Sequence, residues 1–278
     1  MGKKSRIKNK SAKTARMPFV ARTFEGLPGE ADWIALREFV PAGSATITLT
    51  TGETVKVCSM LPGNGAGIRR QDGEIWIGLQ VAHNFGDISR DLAHVIDLAR
   101  DTEPGNPVTM TDPGVGLRLQ DVIDPASEFD VEVHDGFDYW IEGVDAVEGA
   151  AELLAEANET IAPTVHLTSV DGAYWTEMGS QRFLRWVMTH DEKPLLDALA
   201  RLRAAGEETL GEGTKLIGHF RAHGLLVPVW EFAHDADALE EPAVAFAARL
   251  DEALADDSPL TGEQRSARQA LISRQVQV

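Results

Sequence analysis

Short segments of alternating β-branched and polar residues, joined by tight turns, constrain the fold of this chain most. Residues 45–51 (ATITLTT) and 54–61 (TVKVCSML) flank a turn at Gly52, and 74–81 (EIWIGLQV) is a third segment of this kind. The spacing is typical of β-hairpins, in which successive strands run antiparallel. It argues against a doubly wound dinucleotide-binding fold, in which parallel strands alternate with helices.

Helical periodicity precedes and follows these strands. Apolar residues at helical spacing predict a helix over 31–40 and a second helix that begins at Asp87. A helix rich in Ala, Leu and Glu is predicted again at 144–158. A hairpin, a third strand and a helix that begins at Asp191 and ends at Gly206 follow it. The later strands are 163–168, 172–178 and 182–188.

The order helix, strand, strand, strand, helix therefore occurs twice. We interpret this recurrence as a diverged internal duplication within an α+β fold of mixed, mostly antiparallel sheets. The predicted domains are a disordered basic arm, a first α+β unit with a Pro- and Gly-rich linker, a second α+β unit and a C-terminal helix. Their bounds are 1–17, 18–119, 120–257 and 258–278.

Local patterns predict the remaining elements. Residues 129–133 and 137–141 are expected to pair as a hairpin, and 214–223 to form a helix. Residues 225–232 (LLVPVWEF) predict a strand. In it Pro228 favours an edge position or a bulge, because proline donates no hydrogen bond to a neighbouring strand. Two more helices are expected at 242–254 and 261–276, the second with a capping box of Thr261 and Gln264.

Charge separates a basic arm from an acidic body. The formal net charge is −18, yet the first 24 residues hold eight of the 26 basic residues and none of the 44 acidic ones. The arm has almost no apolar residues. Burial would therefore not offset the conformational entropy lost on ordering, and the arm is expected to be disordered. Phosphate groups of nucleic acids attract runs of basic residues such as this one. The residues expected to contact RNA, DNA or the ribosome are Lys3, Lys4, Arg6, Lys8, Lys10, Lys13 and Arg16.

Two other interpretations of the arm stay open. It is either a solvated terminus that aids solubility or a segment that folds back onto the acidic body. The body itself would repel a polyanion, so contact with nucleic acid is expected to be confined to the arm and to weaken with salt. Protein partners would then bind the acidic body.

Cys58 is the single cysteine of the chain. Neither an intramolecular disulfide nor a cysteine-based zinc or iron–sulfur cluster can therefore form. No apolar run approaches the ~20 residues that a membrane-spanning helix needs. We expect a cytoplasmic protein that has no membrane partner, metal or cofactor.

Polar and aromatic residues are densest in the second half of the chain, which provides the candidate ligand-binding residues. His219 and His223 are four apart on the expected helix, a spacing that permits metal ligation, but an HExxH glutamate is missing and no metal site is predicted. Arg221 is expected to pair with an acid such as Glu177 or Glu231, or else to bind an anion. The candidates are Glu177, Arg182, His219, Arg221, His223 and Glu231.

Five stretches of the sequence form a distinctive set of motifs: 18–42, 83–94 (HNFGDISRDLAH), 132–140 (EVHDGFDYW), 174–187 (YWTEMGSQRFLRWV) and 212–231. Together they resemble an uncharacterised actinobacterial family that is catalogued as a domain of unknown function. The resemblance covers about residues 18–255 and implies a cytosolic protein whose whole body is one family unit. Some members begin with a Cys-rich SEC-C-type metal motif; this chain has the basic arm instead, so the zinc of that motif is not implied.

Two classes of function follow from these patterns. The leading hypothesis is a non-catalytic binding protein with an acidic α+β body and a basic arm. The alternative is an enzyme or a small-ligand-binding protein with a site around residues 174–231. Convergence of the six candidate side chains in one cleft would favour the alternative.

Overall fold

The computed structural model describes residues 18–142, 150–159 and 161–276. The basic arm and the first part of the helix expected at 144–158 lie outside these residues. Within them the chain forms seven α-helices and ten β-strands. The helices are α1 (Glu30–Glu38), α2 (Ile88–Asp101), α3 (Leu119–Val122), α4 (Ala150–Asn158), α5 (Glu192–Ala205), α6 (Glu240–Ala255) and α7 (Gly262–Ile272).

The strands form two five-stranded sheets. They are β1 (Gly43–Thr48), β2 (Thr54–Cys58), β3 (Gly67–Arg69), β4 (Ile75–Gly78), β5 (Glu132–Val133), β6 (Thr164–His166), β7 (Ala173–Met178), β8 (Gln181–Trp186), β9 (Lys215–Ala222) and β10 (Leu225–Phe232). The first sheet has the order β3-β4-β2-β1-β5 and the second β6-β7-β8-β10-β9. Among these ten strands, only β2 and β4 pair in parallel. The fold is α+β with mostly antiparallel sheets, as predicted.

Helix α1 lies between the two sheets. Six consecutive residues of this helix are buried, which is the pattern of a helix surrounded by protein. Beside the first sheet, the Gln80 side chain donates hydrogen bonds of 2.8 Å to the carbonyls of Leu36 and Val40. Beside the second sheet, the Tyr174 hydroxyl donates to Asp32 Oδ1 at 2.7 Å. The helix therefore joins the two sheets.

Three hydrophobic clusters follow this layering. The central cluster combines α1 and α2 with residues of both sheets, such as Ile47 and Val227. A second cluster, which includes Trp230 and Phe246, fills the space between the second sheet and the helices α5, α6 and α7. A third contains Trp76 on the first sheet together with part of α4. The central cluster thus draws on both predicted α+β units, whose bounds stay a prediction.

Several sequence signals for helix ends are confirmed. Asp87 caps α2 by accepting a hydrogen bond of 3.1 Å from the Ser89 N–H. Gly206 ends α5 in the left-handed conformation with φ +75°. Thr261 and Gln264 form the expected capping box at the start of α7. Helix α7 ends at Ile272, earlier than expected.

The helix expected at 214–223 is wrong, because this segment forms strand β9. It pairs with β10 through a two-residue turn at His223 and Gly224, whose φ angles are +47° and +82°. Positive φ at both positions is typical of a type I′ hairpin turn, which matches the twist of the paired strands. The pairing with β10 overrides the local helical spacing of the apolar residues.

Strand β10 lies inside the second sheet, between β8 and β9, so Pro228 is not on an edge strand. The expected irregularity is present: the register with β9 shifts between Val229 and Trp230. On its other side β10 pairs with β8. This regular pairing begins at Val229 opposite Arg185, one residue after Pro228. The ring therefore lies where the ladder to β8 is interrupted, and its missing N–H removes no bond from the regular pairing.

The hairpin expected from 129–133 and 137–141 is also wrong. Strand β5 pairs with β1 and forms one edge of the first sheet, and Asp138–Ile141 forms a 3₁₀ turn. The Trp140 indole of this turn donates to the Met60 carbonyl at 3.0 Å, which holds the turn against the first sheet. Pairing with an available sheet edge outweighs pairing within the segment.

The predicted duplication agrees with the order of elements but not with the strand directions. The first unit contains an additional strand, β3, and its β4 runs parallel to β2. In the second unit, β6, β7 and β8 pair in antiparallel succession. The duplication stays a prediction.

Gly172 permits the close approach of α1 to the second sheet and provides a test of this packing. Its φ is +71°, and a Cβ there would overlap the Ala31 side chain and lie 3.0 Å from the Val187 carbonyl oxygen. We expect Gly172→Ala to lower the free energy of unfolding by about 3 kcal/mol, from left-handed strain and overpacking together. Urea-induced unfolding measures this. Gly179→Ala is the matched control, because φ is +64° but no atom lies within 4 Å, and equal losses in both variants would contradict the packing argument.

Candidate functional site

The six predicted site residues occupy separate parts of the second sheet. Glu177 and Arg182 face each other across β7 and β8, and Arg182 Nε donates to Glu177 Oε2 at 2.9 Å. Arg182 Nη1 also lies 3.2 Å from Asp235 Oδ1. Glu231 lies on the face of the sheet that points away from α5, α6 and α7. It directly follows Trp230, which packs against these helices, and successive residues of a strand point to opposite faces. Its carboxylate accepts a hydrogen bond of 2.8 Å from Gln181 Nε2.

Arg221 pairs with a carboxylate that the sequence analysis did not name. Its Nε and Nη2 donate to the two carboxylate oxygens of Glu192, at 2.8 and 2.7 Å, at the start of α5. This pair lowers the pKa of Glu192 and raises that of Arg221. The expected pairing with an acid is present, but the acid is Glu192 and not Glu177 or Glu231. The guanidinium connects β9 to α5 as a structural contact.

His219 and His223 do not form the expected helical pair. On an extended chain, residues four apart are about 13 Å apart. His219 is buried in β9, and burial lowers the pKa of its imidazole. His223 lies in the hairpin turn, where its Nε2 is 2.9 Å from Glu38 Oε1. In the part of the chain that the structure describes, no three His, Cys, Asp or Glu side chains are placed to hold a metal ion.

The structure instead places a cleft of about 880 Å³ between the two sheets. One wall is the start of α1 with the nearby Arg22, and a second wall is the segment 127–131. The third wall is the end of β6 and the turn that follows it up to Asp171. The cleft therefore lies where α1 enters the space between the sheets, and packing of the whole body shapes it.

Asp32 and His166 line this cleft, and the buried Tyr174 beside them completes a polar cluster. Asp32 is 7% exposed, and its Oδ1 accepts the 2.7 Å hydrogen bond from the Tyr174 hydroxyl. His166 Nε2 lies 3.5 Å from the same oxygen. The imidazole stacks on the Tyr174 ring, with 4.5 Å between centroids and 13° between planes. A buried carboxylate thus faces a phenol and an imidazole.

Burial sets the protonation behaviour of this cluster. Desolvation raises the pKa of Asp32, and the nearby Asp171 carboxylate raises it further. The hydrogen bond from Tyr174, the His166 imidazole and the backbone N–H of Gly172 act in the opposite direction. Burial and the Asp32 charge also hold the pKa of the Tyr174 phenol well above its usual value, so this hydroxyl remains a donor.

The mouth of the cleft is acidic. Glu128, Asp130 and Asp171 are exposed there. Arg22 is the basic residue at the mouth, but its Nε and Nη2 donate to the two oxygens of Glu30 at 2.6 and 2.9 Å. This bidentate ion pair neutralises Arg22, so the remaining charge of the lining is negative.

The sequence analysis did not identify this cleft. Asp32 stands between Ala31 and Trp33 in a helix whose neighbouring positions are apolar, and an acid in such a stretch signals a buried carboxylate. His166 and Tyr174 flank the predicted hairpin turn of the second unit. Their convergence on Asp32 depends on the packing of α1 against β7, which no local pattern contains.

A comparison with models of known protein families identifies the family of this chain. The model of the family of unknown function DUF5926 matches residues 23–278. The chain belongs to this family. The match confirms the resemblance to a domain of unknown function, and it covers every residue that lines the cleft of this DUF5926 chain except Arg22. No curated protein and no solved structure matches it. None of the helices in the described ranges is long and apolar enough to cross a membrane.

The raised pKa of Asp32 gives a pH dependence of known sign. As the pH rises above about 4, the unfolded chain releases the Asp32 proton before the folded chain does, so ionisation of this group favours unfolding. We expect the Asp32→Asn variant not to lose stability in this way. The difference in the free energy of unfolding, variant minus natural protein, should therefore increase as the pH rises above about 4. Urea-induced unfolding of both proteins between pH 4 and pH 7 measures the difference.

The control for this comparison is Asp257→Asn, at an exposed aspartate outside the cleft. Its stability difference from the natural protein should not rise with pH in this way. A difference for Asp32→Asn that falls as the pH rises would mean that His166 and Tyr174 outweigh burial, contrary to the assignment.

Proposed function

We propose that the protein is a non-catalytic binding protein that captures a small polar ligand in the cleft between its two sheets. The observation that carries this proposal is the buried carboxylate of Asp32 in the cleft wall, bonded to Tyr174 and near His166. A large concave site with a few convergent polar groups and a perturbed pKa is the usual form of a ligand site.

The chemistry of the cluster favours binding over catalysis. The Tyr174 hydroxyl is almost fully buried and donates to Asp32, so its oxygen does not act as a nucleophile. The second wall of the cleft contributes Phe129 and the exposed carboxylates beside it. These groups are suited to hold and orient a ligand by charge and hydrogen bonds. We further propose a cytoplasmic location, which the single cysteine supports.

A ligand screen tests the proposal. We expect at least one compound from a panel of small anionic, neutral and cationic metabolites to raise the melting temperature of the full chain. Its Kd should increase about tenfold or more in Asp32→Asn, because a hydrogen bond to a charged group contributes about 1.5–3 kcal/mol. Titration calorimetry measures the affinity.

Asp257→Asn serves as the control and should bind like the natural protein. Loss of affinity in both variants, or a panel in which no compound binds, would contradict the proposal.

A second candidate function concerns the basic arm. We propose that residues 1–17 contact nucleic acid, with the acidic body available to protein partners. What supports this is the concentration of eight bases and no acid in the first 24 residues of a chain with net charge −18. Lys and Arg neutralise phosphates and release counterions, whereas the body repels a polyanion.

Deletion of residues 1–17 tests this second function. In fluorescence anisotropy with a labelled single-stranded RNA, we expect the full chain to bind at low salt. Affinity should fall steeply between 50 and 200 mM salt, as counterion release requires. The deleted form should lose binding altogether. Equal binding by both forms would exclude the arm as the contact.

A further inference from the structure

We propose that the ligand of the cleft is a small organic cation, bound through a primary ammonium group at Asp32. This inference rests on the proposed ligand-binding function and names the chemical class of the ligand. It follows from three features of the lining: its charge, the absence of a Lys or Arg partner for Asp32 among the described residues, and the apolar side chains of the cleft.

The charge of the lining excludes an anion. Five carboxylates line the cleft, and the arginine among them is already bonded to one of these carboxylates through two nitrogens. Arg22 Nη1 also lies 3.5 Å from Glu25 Oε1, so the guanidinium has further acidic neighbours. An anionic ligand would meet uncompensated negative charge, whereas a cation would be attracted. The carboxylates are those of Glu30, Asp32, Glu128, Asp130 and Asp171.

Asp32 needs a stronger partner than the described residues provide. Nine-tenths of the residue is buried, yet its nearest hydrogen-bond donor is a neutral phenol. Among the residues that the structure describes, no Lys or Arg nitrogen lies within 4 Å of it, and the second group that donates to it is the backbone N–H of Gly172, which is also neutral. A buried carboxylate is costly unless it is paired and hydrogen-bonded. An ammonium group supplies both the charge and the N–H donors.

The surroundings of Asp32 fit an alkyl chain attached to that ammonium. Phe129, Val131 and Val170 line the cleft together with the buried and the exposed carboxylates. Apolar walls of this kind favour methylene groups. The cleft volume of about 880 Å³ lies within the range of small-molecule sites. A second positive charge on the ligand would meet the acidic mouth.

The experiment compares probes of matched size at constant ionic strength. Titration calorimetry with the full chain would use n-butylamine and 1,4-diaminobutane as ammonium probes. There are three comparison probes. The first, n-butanol, lacks the charge, butanoate has the opposite charge, and tetramethylammonium keeps the positive charge but has no N–H donors. We expect both amines to bind, the diamine more tightly, and each comparison probe to bind at least tenfold more weakly than butylamine.

Variants locate the binding. Asp32→Asn should weaken butylamine at least tenfold, and Asp171→Asn should weaken the diamine more than the monoamine. The second variant changes an exposed residue and so keeps the test valid if the first does not fold. The control Asp257→Asn should leave both affinities unchanged. Amine binding that survives both cleft variants would overturn the inference, because it would reflect the acidic surface as a whole.

Two further outcomes separate the inference from the function on which it rests. Binding of butanoate or butanol in the cleft without binding of the amines overturns the ammonium assignment but leaves a ligand-binding cleft. Binding of tetramethylammonium as tight as that of butylamine overturns the role of the N–H donors at Asp32. The broader metabolite panel, not this series, decides whether the cleft binds a ligand at all.

Discussion

The burial of α1 between two sheets is the constraint on which the rest of the structure depends. Each sheet uses its inner face to cover this helix, α2 also packs against the inner face of the first sheet, and other helices cover the outer faces. Glycine permits the close approach on both sides. A Cβ on Gly43 would overlap Leu36, and a Cβ on Gly172 would overlap Ala31. With all of Trp33 and Leu36 removed from water, the helix stabilises both sheets through one set of contacts.

The polar cluster of the cleft is a consequence of this packing. Asp32 is in the first turn of α1, where a carboxylate is favoured by the helix dipole. The same packing that buries the apolar residues of the helix also removes this carboxylate from water, which raises its pKa. Tyr174 and His166 compensate only in part, because neither is a permanent cation. Among the described residues, no Lys or Arg side chain therefore neutralises the Asp32 carboxylate.

The sequence predicts the elements of this fold better than their partners. Local signals such as the Asp87 cap and the Thr261 capping box are sufficient to place helix ends, because these bonds form within one turn. Strand β9 was missed, since its pairing with β10 and the left-handed His223 are set by tertiary context. The cleft was missed for the same reason: Asp32 and Tyr174 are 142 positions apart and meet only in the folded chain.

The ion pairs of the body leave a surplus of carboxylates at the cleft. Arginines hold distant segments together through carboxylates, as Arg221 does with Glu192 and Arg118 with Asp87 at 2.6 Å. Each such pair removes a base from the surface, and the chain has only 26 bases for 44 acids. Among the residues that the structure describes, carboxylates without a basic partner therefore remain at the cleft mouth. In the proposed function, the body repels a polyanion, while a small cation is attracted to the place where negative charge is both concentrated and desolvated.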